Sequence, residues 1–587
     1  MRLTAADRRL HAVVVVPARD EQERIGACLH ALAEQRGLEP EAFEVVVVLD
    51  QCGDDTRAMA LRAAAAAPHL RLTLLDSPAP GAGHARRAGM DFACERLFAV
   101  GRPHGLIAST DADTRVAPDW LATQLALAGA GAGAIGGRID LDPDEASRLP
   151  PAVLRDRGVN AQARHARIHA LAERQVEAAR SGGENQRVTS TDGRDHHQFS
   201  GASLAVTAQT YRDLGGLPVV DALEDEAFER LLEDRRIPIV RSDRVSVTTS
   251  ARTTGRASRG LARDLALADW RARRSFRASE FDPQDLLALK AGPISVILPA
   301  REVADTIASI IDSLAALREV DLIDEVIVID AASQDGTAAV AAAHGALVLQ
   351  EDELLSEHGP ARGKGDAMWR ALSVVRGEIT VFLDADTRDF TPAFVIGLLG
   401  PLLSDPEIRF VKGAFRRPFA SASGVLPGEG GRVTELVARP LLNLYAPHLA
   451  GFDQPLAGEI AAHTDLLRSL RFPAGYGVEI ANLIDVAQLC GMEALAQVDL
   501  GERQNRHQPL RDLSAMAYSV IVAAATRLGD SGLHAPPAPG PLALPPRPGE
   551  TITETRQVVV LERPPLASLE IERSYPPDRA TRAGALR

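Results

Sequence analysis

The sequence predicts an α/β protein in which one parallel-sheet module occurs twice. Three observations carry this. Short apolar strand patterns alternate with helical patterns, as in βαβ units. The word Asp-Ala-Asp-Thr recurs, in "STDADTRVAPDW" (109–120) and "FLDADTRDFTPAF" (382–394). The stretches leading to the two copies also match one another in order, which is the mark of an internal repeat.

The elements follow in the same sequence in both halves. "VVVVPARDEQERIGACLHAL" (13–32) and "SVILPAREVADTIASIIDSL" (295–314) each run from a β-branched strand through Pro-Ala-Arg into a helix. Ile25, Leu29 and Leu32, like Ile307, Ile310, Ile311 and Leu314, fall on one helical face. "FEVVVVLDQCGDDT" (43–56) and "DEVIVIDAASQDGT" (324–337) are buried-type strands that end in aspartate. "LRLTLLD" and "ALVLQED" are the third strands, and the fourth end in the two DADT words. In parallel sheets ligands collect at the carboxyl ends of strands, where Asp50, Asp111, Asp330 and Asp384 are expected.

A chain of 587 residues exceeds the roughly 250–300 residues at which single cores stop growing. The modules are read as residues 1–285 and 286–530, with 531–587 a proline-rich tail. "RARRSFR" (271–277) reads as a solvated helix face, "DPQDLLALKAGP" as the linker, and "APPAPGPLALPPRPGE" as extended chain. "TRQVVVLERPPLASLEI", further on, has the composition to dock as a strand.

Composition excludes several classes. With 45% hydrophobic and 25% charged residues the chain is of ordinary globular type. A net charge of −14 argues against a general nucleic-acid binder. Four cysteines without CxxC spacing suit neither a disulfide framework nor a zinc site. The amino terminus leads into a short apolar run without a signal-peptide core, and no stretch approaches the ~18–20 apolar residues of a membrane span. The expectation is a soluble cytoplasmic protein.

Two carboxylates at i and i+2 after a strand are hard oxygen donors suited to Mg²⁺ or Mn²⁺, which complete their shells with phosphate and water. Such a site binds a diphosphate and stabilises a departing nucleotide. An isolated DxD also arises in acidic loops, so its position after the fourth strand is what gives it meaning.

The whole set resembles nucleotide-sugar-dependent glycosyltransferases of family 2, with the GT-A (Rossmann-like nucleotide-diphospho-sugar transferase) fold, in both halves. The carboxy-terminal half, over about residues 293–530, further resembles the retaining glucosyl-3-phosphoglycerate synthases. The strings are "GPARGKGDAMWRAL" (359–372), "FLDADT" (382–387), "VKGAFRRPF" (411–419), "GEGGRVTELVARPLL" (428–442), "FPAGYGVEI" (472–480) and "QVDLGERQNRHQPLRDL" (497–513).

That resemblance implies two tandem GT-A domains and a nucleotide-sugar site of Pro299, Ala300, Asp330, Ala331, Lys364, Asp384 and Ala385. It assigns Asp386 to the metal, Mg²⁺ or Mn²⁺, and Gly431, Arg432, Val433 and Thr434 to a small phosphorylated acceptor, 3-phosphoglycerate. A guanidinium fork, a hydroxyl and free amides suit such an anion, and Lys412, Arg416 and Arg417 add positive charge. Glu479 is the catalytic candidate, able to bond sugar hydroxyls or stabilise oxocarbenium character. The sequence departs from the family where Val303 replaces an expected glutamate, Glu302 standing one place before. It departs again where Asn505 aligns with the metal-binding histidine and His507 lies two residues on; either is a candidate ligand.

In the first half "ALEDEAFERLL" (222–232) resembles the family 2 arrangement in which an acid at a helix start deprotonates the acceptor. Asp225 or Glu224 is then the general base, giving inversion, although acids also favour helix starts for dipole reasons. Pro17, Glu21, Asp50 and Asp111 are expected at the donor and Asp113 at the metal. The implied activity is glucose transfer from UDP-glucose to 3-phosphoglycerate by the second half, with the first half a further glycosyltransferase of unnamed acceptor. GDP-mannose as donor, or a non-catalytic binding or assembly role for the first half, are the alternatives. A homodimer is compatible with this reading, and a sugar nucleotidyltransferase is not, since neither "PARDE" nor "PAREV" supplies its Gly-rich loop.

Overall fold

The structure is a computed structural model. It describes residues 6–181, 195–220, 223–255, 259–417, 419–421, 424–426, 431–503, 509–536, 539–544 and 554–569. The chain divides into two compact units, Met1–Ala272 and Arg273–Arg587. Both are α/β, with mixed sheets.

Among the described residues the first unit forms one eight-stranded sheet. Its strands are β1 (Ala12–Ala18), β2 (Phe43–Leu49), β3 (Leu72–Asp76), β4 (Leu106–Ser109), β5 (Thr114–Val116), β6 (Ala134–Leu141), β7 (Leu204–Thr207) and β8 (Ile239–Thr249). Their order is β3-β2-β1-β4-β7-β6-β8-β5. The first four are parallel neighbours, whereas β7 runs antiparallel to both β4 and β6.

Strands β1 and β2 are apolar but for Glu44, which pairs with Arg96, because helices cover both faces of the sheet. Val14, Val16, Val45 and Val47 enter one core, while Val13, Val15, Val46 and Val48 enter the other. The alternation is the two-residue period of the strand, so each face receives every second side chain.

The second unit contributes β9 (Ser275–Arg277), β10 (Ile294–Ala300), β11 (Glu325–Asp330), β12 (Leu347–Gln350), β13 (Ile379–Phe382) and β14 (Phe410–Arg416). After a two-stranded ribbon, β15 (Phe419–Ser421) with β16 (Gly424–Leu426), come β17 (Ile460–His463), β18 (Phe472–Pro473) and β19 (Leu495–Glu502). Three short strands close the series: β20 (Leu542–Leu544), β21 (Glu554–Arg556) and β22 (Glu562–Arg563). The main sheet is ordered β12-β11-β10-β13-β17-β14-β19-β9. Its first seven places repeat the first unit strand for strand, including an antiparallel strand after the fourth.

Both units turn the chain in the same way at the end of the first strand. Asp20 and Glu302, each following Pro-Ala-Arg, adopt positive φ of 51° and 53°, a conformation uncommon outside glycine. Each braces the turn after the second strand: Asp20 accepts from the Gly53 amide at 2.7 Å and Glu302 from the Gln334 amide at 2.8 Å. The glutamate displaced by one position is thus a strut between two loops, and Val303 beside it is buried.

Two expectations are revised. Within "RARRSFR", Arg274 is buried rather than solvated, because Asp405, Glu407 and Glu493 surround its guanidinium, and residues 275–277 join the second sheet. The stretch read as a linker contains a helix, Pro283–Leu289, capped by Asp282, whose side chain accepts from the Gln284 amide. In the tail β20 pairs with β21, and β22, inside the stretch expected to dock as a strand, pairs with β18.

Candidate active site

In the second unit, chemistry gathers at the carboxyl ends of β10, β11 and β13. Pro299 and Ala300 sit in register with Ile329 and Asp330 on β11. The Ala331 amide bonds the Ala300 carbonyl at 2.9 Å, tying the two strand ends together. Asp330 is buried, and its Oδ2 accepts from the Ser333 amide at 3.2 Å and from Gln350 at 3.0 Å. Its Oδ1 is buried without a hydrogen-bond partner. A carboxylate oxygen left so is costly unless a ligand donor meets it.

Lys364 opens the helix Lys364–Ala371, and its ammonium bridges two carboxylates, Asp384 past β13 and Glu479 at 3.0 Å in the first turn of the helix Val478–Cys490. Gly458 makes this approach possible, since a Cβ there would collide with the Lys364 ammonium and the Asp384 carboxylate. Burial alone would lower the Lys364 pKa, but Asp384 and Glu479 outweigh it and hold it above the ordinary lysine value. Burial likewise acts to raise Asp384, and Lys364 and Arg503 reverse the effect, so the carboxylate stays ionised.

Arg503, fully buried, spans the other side. It reaches Asp384 at 2.9 Å, Asp386 at 3.2 Å, and Glu459. Asp386 is exposed at the mouth of the site, and Thr306 Oγ1 donates to the Ala385 carbonyl between the two aspartates at 2.7 Å. A pair of hard carboxylates with one exposed member is a donor set that fits Mg²⁺ or Mn²⁺. Asn505 and His507 lie outside the described residues.

Beneath this set Lys412 is fully buried, donating to the Ala457 carbonyl at 2.9 Å. Burial pushes its pKa down to about 8. Gly431, expected at the acceptor, has φ +75°, and a Cβ built there would lie 3.7 Å from the Arg417 stem and the Thr434 side chain. Val433 and Thr434 are buried and Arg432 is half-buried. The Arg417 guanidinium, its pKa lowered by burial and then by Arg503, keeps a buried Nε without a hydrogen-bond partner.

The first unit builds a parallel arrangement. Pro17 and Ala18 pair with Val48 and Leu49, and the Asp50 amide bonds the Ala18 carbonyl at 2.8 Å. Asp50 is buried, accepting from the Gly81 amide at 3.0 Å, while its Oδ1 is buried without a hydrogen-bond partner, as in Asp330. Arg86 bridges Asp111 at 2.8 Å and Glu224 at 3.0 Å, as Lys364 bridges Asp384 and Glu479. A Cβ at Gly201 would strike the Arg86 guanidinium, repeating the part of Gly458.

Arg252 pairs with Glu21 and, at 2.9 Å, with Asp113. Burial and the neighbouring Asp111 push the Asp113 pKa up to about 6. Asp225 accepts from the Gly201 amide at 2.9 Å, and burial raises its pKa. Glu224, held by Arg86, is the member of the pair with a cation of its own.

Among the described residues Asp20, Cys52 and Asp54 also lie within 4.8 Å of one another. Their hydrogen bonds to Gly53, Ala18 and Gln22 brace the turns after β1 and β2. The four cysteines are free thiols.

Sequence reasoning left out Arg503, Glu459, Arg86 and Arg252. A signal for Arg86 existed: aligning Met90 of "HARRAGM" with Met368 of "GKGDAM" sets Arg86 on Lys364. Arg503 and Arg252 are brought to the aspartates by late strands, and nothing local announces them.

Residues 13–173 and 295–411 match Glycosyl transferase family 2. The glucosyl-3-phosphoglycerate synthase of Mycolicibacterium paratuberculosis is 42% identical over 333 residues, covering 55% of this chain and 99% of that protein. Its counterpart from Mycobacterium tuberculosis is 48% identical over 255 residues, 42% of this chain and 78% of the relative. Among solved structures, mannosyl-3-phosphoglycerate synthase from Rubrobacter xylanophilus is 48% identical with a TM-score of 0.47, covering 51% of this chain and 99% of that one. The glucosyl-3-phosphoglycerate synthase of M. tuberculosis with Mn²⁺, UDP-glucose and phosphoglyceric acid is 42% identical with a TM-score of 0.44, covering 49% and 95%. These curated relatives match about half of the chain and nearly all or most of their own length, and on that ground the chain belongs to the glucosyl-3-phosphoglycerate synthase family.

Proposed function

We propose that the second unit transfers glucose from UDP-glucose to the 2-hydroxyl of 3-phosphoglycerate with retention. The observation that carries the reading is the Lys364 bridge between Asp384 and Glu479, set beside the exposed Asp386 at a sheet's carboxyl edge. The names of the relatives supply glucose, phosphoglycerate and, in one solved complex, Mn²⁺.

Roles follow from the chemistry. The unsatisfied Asp330 oxygen accepts an N–H of the nucleotide base. Asp386, with Asn505 or His507, would hold Mg²⁺ or Mn²⁺, which would supply neutralisation of the diphosphate. Lys364 adds a fixed positive charge and pairs with Glu479, which faces the sugar, where a carboxylate stabilises oxocarbenium character. Gly431, Arg432, Val433 and Thr434, with Arg417 behind them, grip the acceptor's phosphate and carboxylate. The bond from the anomeric carbon to the diphosphate breaks, the bond to the acceptor oxygen forms on the same face, and the hydroxyl proton leaves with UDP.

The first unit is, on this reading, a second GT-A domain, giving two in tandem. The Arg86–Asp111–Glu224 bridge and the unsatisfied Asp50 oxygen support a donor site of the same design, with Pro17 and Glu21 at its edge and Asp113 at the metal. Asp225 is the general base for inversion. A donor-binding module without turnover is the competing reading of this half, and GDP-mannose is the competing donor of the other. A reducing cytoplasm suits the four free thiols, and among the described residues no helix is long and apolar enough to cross a membrane.

The test incubates the chain with Mn²⁺, 3-phosphoglycerate and either UDP-glucose or GDP-mannose. Glucosyl-3-phosphoglycerate by mass spectrometry, formed by the wild type and lost in Asp386→Asn, is the expected result. Product from GDP-mannose alone would reassign the donor, and no product from either would refute the reading.

A further inference from the structure

The chain beyond β21 returns to the catalytic edge of the second unit. Strand β22 pairs with β18, setting Arg563 opposite Phe472 and Glu562 opposite Pro473. The Ala474 amide donates to the Leu561 carbonyl at 2.8 Å, and a Cβ on Gly475 would sit 2.9 Å from the Val559 carbonyl. This segment therefore lies along the turn that leads into the helix bearing Glu479.

The same segment also grips the helix bearing Lys364. Arg563, 7% exposed, forms a bidentate pair with Asp366, Nη2 to Oδ2 at 2.7 Å and Nε to Oδ1 at 3.0 Å. Asp366 is fully buried, two residues after Lys364, and its amide donates to the Ala474 carbonyl at 3.0 Å. Arg563 Nη1 donates to the His358 carbonyl at 2.7 Å, in the loop that precedes Lys364. Trp369 Nε1, on that helix, donates to the Pro564 carbonyl at 2.9 Å.

Two helix starts carrying the two members of one ion pair are thus fixed by a single strap. A buried bidentate pair constrains both distance and angle, which a rim contact would not do. We propose that residues 559–566 are this strap, and that Arg563 is a positioning residue which holds Lys364 and Glu479 in register for glucose transfer. The inference rests on the function proposed above, since it assigns the register to that reaction.

The test compares Arg563→Ala and Arg563→Lys with the wild type in the full chain, by steady-state kinetics with UDP-glucose, 3-phosphoglycerate and Mn²⁺ and by amide hydrogen exchange. A small displacement of catalytic groups costs on the order of 10–100-fold in turnover. Arg563→Ala is expected to lower kcat by that amount with KM for 3-phosphoglycerate within about twofold. Exchange should quicken about tenfold in peptides covering 358–368 and 472–480 and stay unchanged over 307–319. Arg563→Lys, which keeps the charge but not the fork, should recover part of kcat.

Turnover of Arg563→Ala within twofold of wild type, or unchanged exchange in the two peptides, overturns the proposal. So does faster exchange through 307–319 in both variants, which would make Arg563 a residue of general stability. A wild type that makes no glucosyl-3-phosphoglycerate overturns the proposed function instead, and exchange still decides whether the strap holds the two helix starts.

Discussion

Lys364 joins two carboxylates of the second unit's site. It faces Asp384 and Glu479 at once, and Gly458 leaves it the room. Replacing it by alanine leaves two carboxylates facing each other and removes a preorganised positive charge. The expected loss of kcat is roughly hundred- to thousand-fold, checked by turnover at saturating donor. Lys412 behaves differently because burial, not a partner, dominates it and lowers its pKa to about 8. Between pH 8 and its unfolded value of about 10.4 the unfolded chain binds the extra proton, so stability rises with pH across that window. Below pH 8 both states are protonated and the cost of the buried charge stands in full. Denaturant titrations of Lys412→Met should show this slope flattened relative to the wild type; an unchanged slope would mean that Lys412 is not its source.

At the scale of elements, the site is assembled from strand ends and helix starts, and these differ in how far the sequence announces them. Strands β1, β2, β10 and β11 were legible because both faces are covered and most of their residues are apolar. The aspartates after them followed from the rule that parallel strands present their carboxyl ends to ligands. Late elements were opaque. The stretch 275–289 reads as charged helix and linker because Arg274 is matched by Asp405, Glu407 and Glu493, all distant in sequence. Strand β22 lies in a stretch whose composition suits a strand, but its partner β18 and the Arg563–Asp366 pair beside it are not legible from periodicity. A prediction belongs to this scale. The loop before β17 approaches the Lys364 bridge only because residue 458 lacks a side chain, so Gly458→Ala should displace one or other element. Turnover should fall roughly ten- to hundred-fold while the far-UV circular dichroism is preserved. Unaltered turnover would show that the loop yields without disturbing the bridge.

Over the whole molecule, two units share a seven-strand order and the same cation-bridged aspartates, yet they differ where the acceptor would lie. The glucosyl-3-phosphoglycerate synthase strings all fall in the second unit, where the proposed acceptor residues are Gly431, Arg432 and Thr434. The first places Asp225 at a helix start beside Gly201. Glucose transfer to 3-phosphoglycerate should therefore survive Asp113→Asn and fall by at least about a hundredfold in Asp386→Asn, as expected when a carboxylate that holds a catalytic metal is lost. Equal losses in the two variants would place the reaction in neither unit alone. The duplication was readable because it is written in local strings, whereas the arginines that complete each site are contributed by residues far along each unit.

Calorimetric titration of the full chain with UDP in the presence of Mn²⁺ reaches the common basis of both sites. Two binding events per chain are predicted, with one abolished by Asp386→Asn and the other by Asp113→Asn. Binding absent from the wild type, or a stoichiometry that neither substitution alters, would contradict the account.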